Sequence, residues 1–141
     1  MYTVALSMDI KNELPPNYEL IKLVLPVTPD NIYCHGDTIY NPSGAEIPDD
    51  ILFHEHVHKE QQGDSVDLWW NRYLMDKDSR YEQELEAYAK QFILIKRHFP
   101  AKAAQEALTE LAKNLSTLYN LDITLHQAET SIRHKAKEYN G

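Results

Sequence analysis

The stretch Leu52-Phe53-His54-Glu55-His56-Val57-His58-Lys59-Glu60-Gln61-Gln62 contains the pattern His-Glu-x-x-His, with His54, Glu55 and His58 at its fixed positions. On an α-helix, residues four apart lie on one face, so His54 and His58 can point at a common atom. Two imidazoles presented in this way supply half of a tetrahedral zinc site. Glu55 lies about 60° around the helix from His58. Its carboxylate can therefore reach a water on the metal without binding the metal itself.

A carboxylate in this position is typical of the general base of a metallopeptidase. The alternative is a solvated, charge-dense helix with incidental histidines, because so short a motif also arises by chance. Apolar Ile51, Leu52, Phe53 and Val57 flank the motif and favour a partly buried helix. Buried imidazoles need partners, and a metal is one way to supply them. His56 points to nearly the opposite side and is predicted to lie at the surface.

Composition limits the classes of partner. The 141 residues suit one domain, and the net charge of −8 argues against a nucleic-acid or anionic-membrane partner. The first residues, Met1-Tyr2-Thr3-Val4-Ala5, show no basic start followed by a long apolar run. We therefore expect no signal peptide, no membrane span and a cytoplasmic protein. Cys34, the single cysteine, fits a reducing compartment and is expected to be a small core residue.

A small antiparallel sheet is predicted before the motif. Residues 1–17 show no clear period and end in a loop marked by Pro15 and Pro16. Residues 18–27 are rich in strand-forming side chains and are predicted to be a strand. Residues 32–40 are predicted to be a hairpin that turns at His35-Gly36-Asp37.

Helices are predicted for most of the remaining chain, over residues 48–62, 67–74, 79–98, 101–119 and about 124–139. Gly63 is the expected end of the first, and Thr124 with Gln127 is read as a capping box that opens the last. Trp69, Trp70 and Tyr73 are expected to pack in the core. The predicted class is α+β and predominantly helical, with sheet and loops over 1–47, metal-site helices over 48–98 and a C-terminal helical hairpin over 101–139. That hairpin is a scaffold or a surface for a protein partner.

Two neighbouring glutamates of the 79–98 helix have different predicted environments. Glu84 lies close to the apolar side of the helix, whereas Glu86 lies on the opposite side with Lys90 four residues on. A partly buried carboxylate needs a cation, which Arg80 or a metal held by the two histidines can supply. Because catalytic zinc sites commonly use two histidines and one glutamate, Glu84 is predicted to be the third ligand.

The motif His54-Glu55-x-x-His58, followed by Glu84-Leu85-Glu86-Ala87-Tyr88, resembles the gluzincin class of zinc metallopeptidases. Gluzincins of several families carry Glu-x-Glu-Ala-Asp or Glu-x-Glu-Ala-Asn there, and the first Glu, here Glu84, is their third zinc ligand. Their Asp or Asn often steadies a ligand histidine, and Tyr88 stands in its place. Over about residues 30–98 the longer pattern resembles small zincin-like proteins of phage and bacterial genomes. It reads His-Glu-His-x-His-x-x-Gln-Gln, Trp-Trp-x-x-Tyr-Leu-x-Asp and Arg-x-x-x-Glu-x-Glu-Ala-Tyr.

The resemblance implies a minimal zincin core that binds one Zn²⁺ through His54, His58 and Glu84. It implies hydrolysis of a peptide or amide bond, with Glu55 taking the proton of the attacking water. A peptide or protein substrate is expected to lie along a sheet edge, with the strand Thr38–Tyr40 as its shelf. The candidates for steadying the ligands or stabilising the oxyanion are Tyr73, Arg72, His35, Tyr88 and Gln61.

Two other functions remain open at this point. One is a zinc-binding structural or assembly protein without turnover, such as a phage virion component located in the host cytoplasm or the virion. Glu55 favours the hydrolase, since a structural site has no need of a carboxylate there. The other is a metal-free helical interaction module, which would leave Glu84 without a cation. Metal identity is also open, because imidazole and carboxylate ligands accept several divalent ions.

Overall fold

The computed structural model describes residues 8–140, which form three short strands and six helices and confirm the α+β, predominantly helical class. In chain order the elements are β1 (Asp9–Lys11), α1 (Tyr18–Val24), β2 (Tyr33–His35), β3 (Thr38–Tyr40), α2 (Asp49–Gln62), α3 (Val66–Met75), α4 (Lys77–His98), α5 (Ala101–Thr117) and α6 (Leu125–Asn140). The five helices predicted from residue 48 onward are all present. Residues 1–5, where no signal peptide was expected, lie outside the described residues.

The sheet is mixed rather than antiparallel, with the strand order β1-β3-β2. The hairpin of β2 and β3 is confirmed and turns at Gly36, whose φ of 63° favours glycine. The strand β1, which pairs parallel to β3, was not predicted. Its three residues are all exposed, so they carry no alternation of buried and exposed side chains. Because β3 is paired on both edges, the prediction that Thr38–Tyr40 forms a shelf for substrate is wrong.

The strand predicted over residues 18–27 is also wrong, because residues 18–24 form the helix α1. The strand-forming composition hid a helical period in which Tyr18, Ile21 and Val24 face the core while Leu20 and Leu23 stay exposed. The helix stops at Leu25, whose extended backbone is favoured by the proline that follows it. Here the spacing of the apolar residues outweighs their strand propensity.

The helix α2 begins after Pro48, carries acidic residues in its first turn and ends at Gly63, as predicted. Its last residue, Gln62, fixes the hairpin to the helix. The Gln62 side-chain amide donates to the Cys34 carbonyl at 2.8 Å and accepts from the Gly36 amide at 2.7 Å. Trp70 of α3 donates to the same carbonyl at 3.1 Å. The sheet is therefore anchored beside the motif helix by buried polar contacts, and Cys34 is buried as predicted.

Two apolar clusters support these elements. One joins α4, α5 and α6 through buried residues that include Phe92, Leu108, Leu115 and Ile132. The other joins α1, the hairpin and α3 through Ile21, Tyr33, Tyr40, Trp70, Tyr73 and Leu74. Thr124 and Gln127 exchange hydrogen bonds of 2.9 and 3.0 Å at the start of α6, which confirms the capping box. Within residues 8–140, no helix has the length and apolar character needed to cross a membrane.

Candidate metal centre

Two facing helices bring His54, His58 and Glu84 together. The helix α2 supplies both histidines and α4 supplies the glutamate, and each of the three residues is at most 5% exposed. Glu84 Oε1 lies 3.1 Å from His54 Nε2 and 3.3 Å from His58 Nε2. Ligands about 2.0–2.1 Å from a tetrahedral ion are roughly 3.3 Å apart, so this spacing fits one shared ion. These three residues form a group that can hold a metal.

The buried side-chain amide of Gln91 orients His54 by a contact at Nδ1 of the ring. His54 Nδ1 lies 2.9 Å from Gln91 Oε1, and Gln91 Nε2 donates to Asp50 Oδ2 at 2.8 Å. Because the amide nitrogen is committed to the Asp50 carboxylate, the amide oxygen faces the imidazole and accepts a hydrogen bond from Nδ1–H. With a metal bound, this tautomer would present the unprotonated Nε2 of His54 to the ion.

His58 is held by the same kind of contact. Its Nδ1 lies 2.8 Å from Gln61 Oε1, and Gln61 Nε2 donates to the Gln83 carbonyl at 3.0 Å and to Glu86 Oε1 at 2.7 Å. Gln61, a predicted candidate for this role, therefore lies behind the ligand histidine. Glu86 also pairs with Lys90 at 2.8 Å, as predicted, but its contact with Gln61 leaves it half-buried rather than fully solvated.

Tyr73 and Tyr88 both contact the ligands, in different ways. The Tyr73 hydroxyl donates a short hydrogen bond to Glu84 Oε2. The Tyr88 ring packs edge-on against His54 with centroids 4.4 Å apart, while its hydroxyl pairs with that of Tyr119 at 2.6 Å. Tyr88 thus supports His54 by packing. The side chain that hydrogen-bonds to His54 Nδ1 is Gln91.

Arg72 and His35 lie away from the ligands. Arg72 is exposed and lines a separate surface pocket with Ser79 and Gln83. His35 lies in the hairpin, with Nε2 3.9 Å from Asp67. Neither residue lines the cavity at the ligands, so the structure does not bring these two candidates into the site.

Arg80 does not neutralise Glu84, so that alternative is wrong. Its guanidinium donates instead to the backbone carbonyls of Tyr73, Leu74 and Tyr119. It joins the end of α3 to the segment after α5, and both border the site. The cationic partners of Glu84 are consequently the two histidines or a metal.

The charges of the cluster depend on one another. Burial by itself raises the pKa of Glu84, but the charge of His58 and hydrogen bonds from both histidines hold it well below its usual range. For His58, burial by itself lowers the pKa because it disfavours the charged imidazole. The Glu84 carboxylate outweighs this effect and raises the pKa of His58 to about 9. Without a metal, the cluster is therefore a buried ion pair, and a cation that bound here would displace the proton from His58.

Glu55 lies beside the ligands without joining them. The residue is 7% exposed, and its side chain accepts no hydrogen bond from the residues that the structure describes. Burial raises its pKa, and the charge of Glu84 adds to this effect while His54 and His58 oppose it. A carboxylate with a raised pKa next to a metal is suited to accept a proton. His56 instead pairs with Glu60 at 3.0 Å, away from the ligands as predicted.

Two spaces that share lining residues adjoin the ligands. The metal-centre cavity, of about 70 Å³, is lined by all three ligands and Glu55, and by aromatic residues that include Trp69, Trp70, Tyr73 and Tyr119. The side groove, of about 580 Å³, lies between the loop before β2, the start of α2, and the helices α4 and α5. His54, Glu55 and Tyr119 line both spaces. The tryptophans thus pack in the core, as predicted, and also form a wall of the cavity.

Gln91, Asp50 and Tyr119 were missed as site residues, although two of them carried a signal. Gln91 follows Glu84 by seven residues and Asp50 precedes His54 by four, so each lies on the face of its helix that carries a ligand. Tyr119 follows α5 in a loop, where no helical period points to the site.

No protein-family model matches this chain, and no curated protein and no solved structure matches it significantly. The likeness to gluzincins therefore rests on the residues themselves. They place two histidines and a glutamate around one point, with a free carboxylate beside them.

Proposed function

We propose that this protein is a zinc-dependent hydrolase of peptide or amide bonds, with the minimal core of a gluzincin. The observation that carries the proposal is Glu55, a residue 7% exposed that has no hydrogen-bond partner among the described residues and lines the same cavity as the three ligands. Its carboxylate oxygens are not among the fully buried atoms without a partner, so they reach open space in the cavity. A mostly buried carboxylate that no described group engages is suited to take up and return a proton during a reaction.

The set of ligands supports a catalytic rather than a closed structural site. Structural zinc sites are almost always surrounded by four protein ligands, whereas catalytic sites use three and leave one position for water. Within residues 8–140, no fourth histidine, cysteine or carboxylate joins His54, His58 and Glu84. Two imidazoles and one carboxylate are also a donor set that suits zinc.

Different residues of the chain have different roles in the proposed reaction. Zinc, when bound, polarises a carbonyl group and makes a water molecule easier to deprotonate. Glu55 accepts a proton from the attacking water and returns it to the leaving amine. Gln91 and Gln61 hold the ligand histidines in one tautomer. Tyr73 steadies Glu84 through its one hydroxyl proton, and it can stabilise negative charge on the substrate oxygen only by turning that hydrogen bond from Glu84 to the substrate.

The substrate reaches this site through the side groove rather than as an added strand. The strand β3 has no free edge, and on β2 the Cys34 carbonyl is already bonded to Gln62 and Trp70. The groove is large enough for several residues of an extended chain and ends at His54 and Glu55. A peptide that lies in it brings a carbonyl group to the metal centre.

The experiment that tests the proposal is cleavage of a mixed peptide library by the zinc-loaded protein. We expect the wild type to cleave and Glu55→Gln to lose about 10²- to 10⁴-fold in rate while keeping its zinc. His56→Gln is the matched control, because it changes a neighbouring residue of the same helix that faces away from the ligands. Undiminished cleavage by Glu55→Gln would refute the role of the carboxylate.

A structural zinc protein without turnover is the second candidate, and the small cavity favours it. All three ligands are buried, and a volume of about 70 Å³ at the ligands leaves little room for a substrate unless its carbonyl group enters from the side groove. In that case the metal contributes folding free energy only. Firm zinc binding by the wild type with no cleavage of any library peptide is the result that distinguishes this candidate.

A further inference from the structure

We propose that the side groove selects substrates with lysine or arginine side chains near the bond that is cleaved. This inference rests on the proposed function and names the class of substrate for the same site. It depends on the position of the groove, on the charge of its walls and on the apolar character of its floor.

The groove leads directly to the reacting groups. His54, Glu55 and Tyr119 line it at one end, and they also line the metal-centre cavity. Glu55 is more than nine-tenths buried and has no hydrogen-bond partner in the part of the chain that the structure describes. The two spaces therefore share an unpaired carboxylate as a lining group, and a ligand that fills this end of the groove would touch the proposed general base.

The walls of the groove are acidic. Asp30 lies in the loop before β2, Asp50 in the first turn of α2 and Glu110 on α5, so carboxylates come from three separate elements. No lysine or arginine of the described residues lines the groove. Asp50 accepts a hydrogen bond from the neutral amide of Gln91, and none of the three carboxylates forms an ion pair within residues 8–140. The groove thus offers negative charge that nothing in the described structure neutralises.

The floor of the groove suits the rest of a basic side chain. It carries apolar side chains from α2, α4 and α5, namely Ile51, Ile95, Ala107 and Leu111. Lysine and arginine place their methylene stems on apolar surface while their charged ends reach polar groups. Acidic walls above an apolar floor therefore match a basic, partly apolar peptide and repel an acidic one.

The test compares three fluorescence-quenched peptides with one shared background of alanine, leucine and phenylalanine. They differ only in two flanking positions, which are both lysine, both glutamine or both glutamate. At low salt we expect kcat/KM to be roughly three- to a hundredfold higher for the lysine peptide than for the glutamate peptide. Because Asp30 and Glu110 are exposed to solvent and Asp50 is only half-buried, the ratio is expected to fall towards one at about 0.5 M salt.

Variants assign the preference to the groove. Glu110→Gln is expected to lower the lysine-to-glutamate ratio about two- to fivefold, and Glu110→Lys to lower it further. Glu82→Gln is the matched control, because it removes an exposed carboxylate of α4 that does not line the groove. The same ratio in all four proteins would overturn the assignment to this groove.

The outcomes also separate this inference from the proposed function. Equal cleavage of the three peptides overturns the inference and leaves the hydrolase intact. If no peptide is cleaved, the hydrolase fails, and binding of the lysine and glutamate peptides to zinc-loaded Glu55→Gln is then measured by fluorescence anisotropy. Tighter binding of the lysine peptide supports an acidic binding groove, and equal or absent binding overturns it.

Discussion

Replacing Gln91 tests whether its hydrogen bond with His54 contributes to the affinity of the site for zinc. Gln91 is 3% exposed, accepts from His54 Nδ1 at 2.9 Å and donates to Asp50 at 2.8 Å. Replacing it with leucine puts an apolar side chain of similar size in its place and leaves the Nδ1 proton of His54 without a partner in a buried position. Leaving a buried donor unsatisfied costs about 1–3 kcal/mol. Because every 1.4 kcal/mol is tenfold, this cost corresponds to roughly 5- to 150-fold in affinity.

We therefore expect Gln91→Leu to bind zinc about 10- to 100-fold more weakly than the wild type, in line with the usual effect of losing such a partner. Competition with a chromophoric chelator measures the affinity, and urea unfolding of the metal-free proteins shows that both are folded. Tyr88→Phe is the matched control. It keeps the ring that packs on His54 and removes a hydroxyl whose hydrogen-bond partner among the described residues is Tyr119. A folded Gln91→Leu protein with the affinity of the wild type would refute the role of Gln91.

Three further predictions concern neighbouring groups. Tyr73→Phe removes the hydroxyl that donates to Glu84 and is expected to reduce kcat by about 10-fold or more, with a smaller loss of zinc affinity. Equal losses of kcat and zinc affinity would show that Tyr73 acts only by holding the ligand. The metal-free protein is expected to lose stability as pH rises, because the pKa of His58 is raised from 6.5 to about 9 on folding. That contribution is complete below pH 6.5 and disappears through pH 9, so a melting temperature that is flat or rises over this range would contradict it. Ile132→Ala, at a fully buried position of α6, is expected to lower the free energy of unfolding in urea by about 2–5 kcal/mol without changing the zinc content. Loss of zinc from the folded variant would contradict this and show that the core distant from the site affects metal binding.

The elements that could be predicted from the sequence carry local signals. The helix α2 is marked by Pro48 and its acidic first turn at one end and by Gly63 at the other. The helix α6 is marked by its capping box. Hydrophobic periodicity predicted a buried Glu84, and the i, i+4 spacing predicted that His54 and His58 share a face. Each of these inferences needs only the geometry of one helix.

The parts that could not be predicted depend on contacts between distant segments. The strand β1 forms because three exposed residues pair with β3, and no pattern within those residues predicts a strand. The helix α1 was hidden because its apolar residues are also good strand formers. Gln91 lies on the face that carries a ligand, but glutamine on a helix is usually solvated, so its contact with His54 follows only from the packing of α2 on α4. The contacts of Arg80 could not be predicted either, since its partners are backbone carbonyls outside α4.

The central claim is that His54, His58 and Glu84 bind one metal ion. The most direct test is the zinc content of the purified protein after it is offered zinc and dialysed, for the wild type, Glu84→Ala and Glu82→Ala. Glu82 is an exposed residue of the same helix, whereas Glu86 is not a neutral control because it bonds to Gln61 behind His58. We predict about one zinc per chain in the wild type and in Glu82→Ala, and none in Glu84→Ala. A wild type that binds no zinc, or a folded Glu84→Ala that binds as much as the wild type, would contradict the claim.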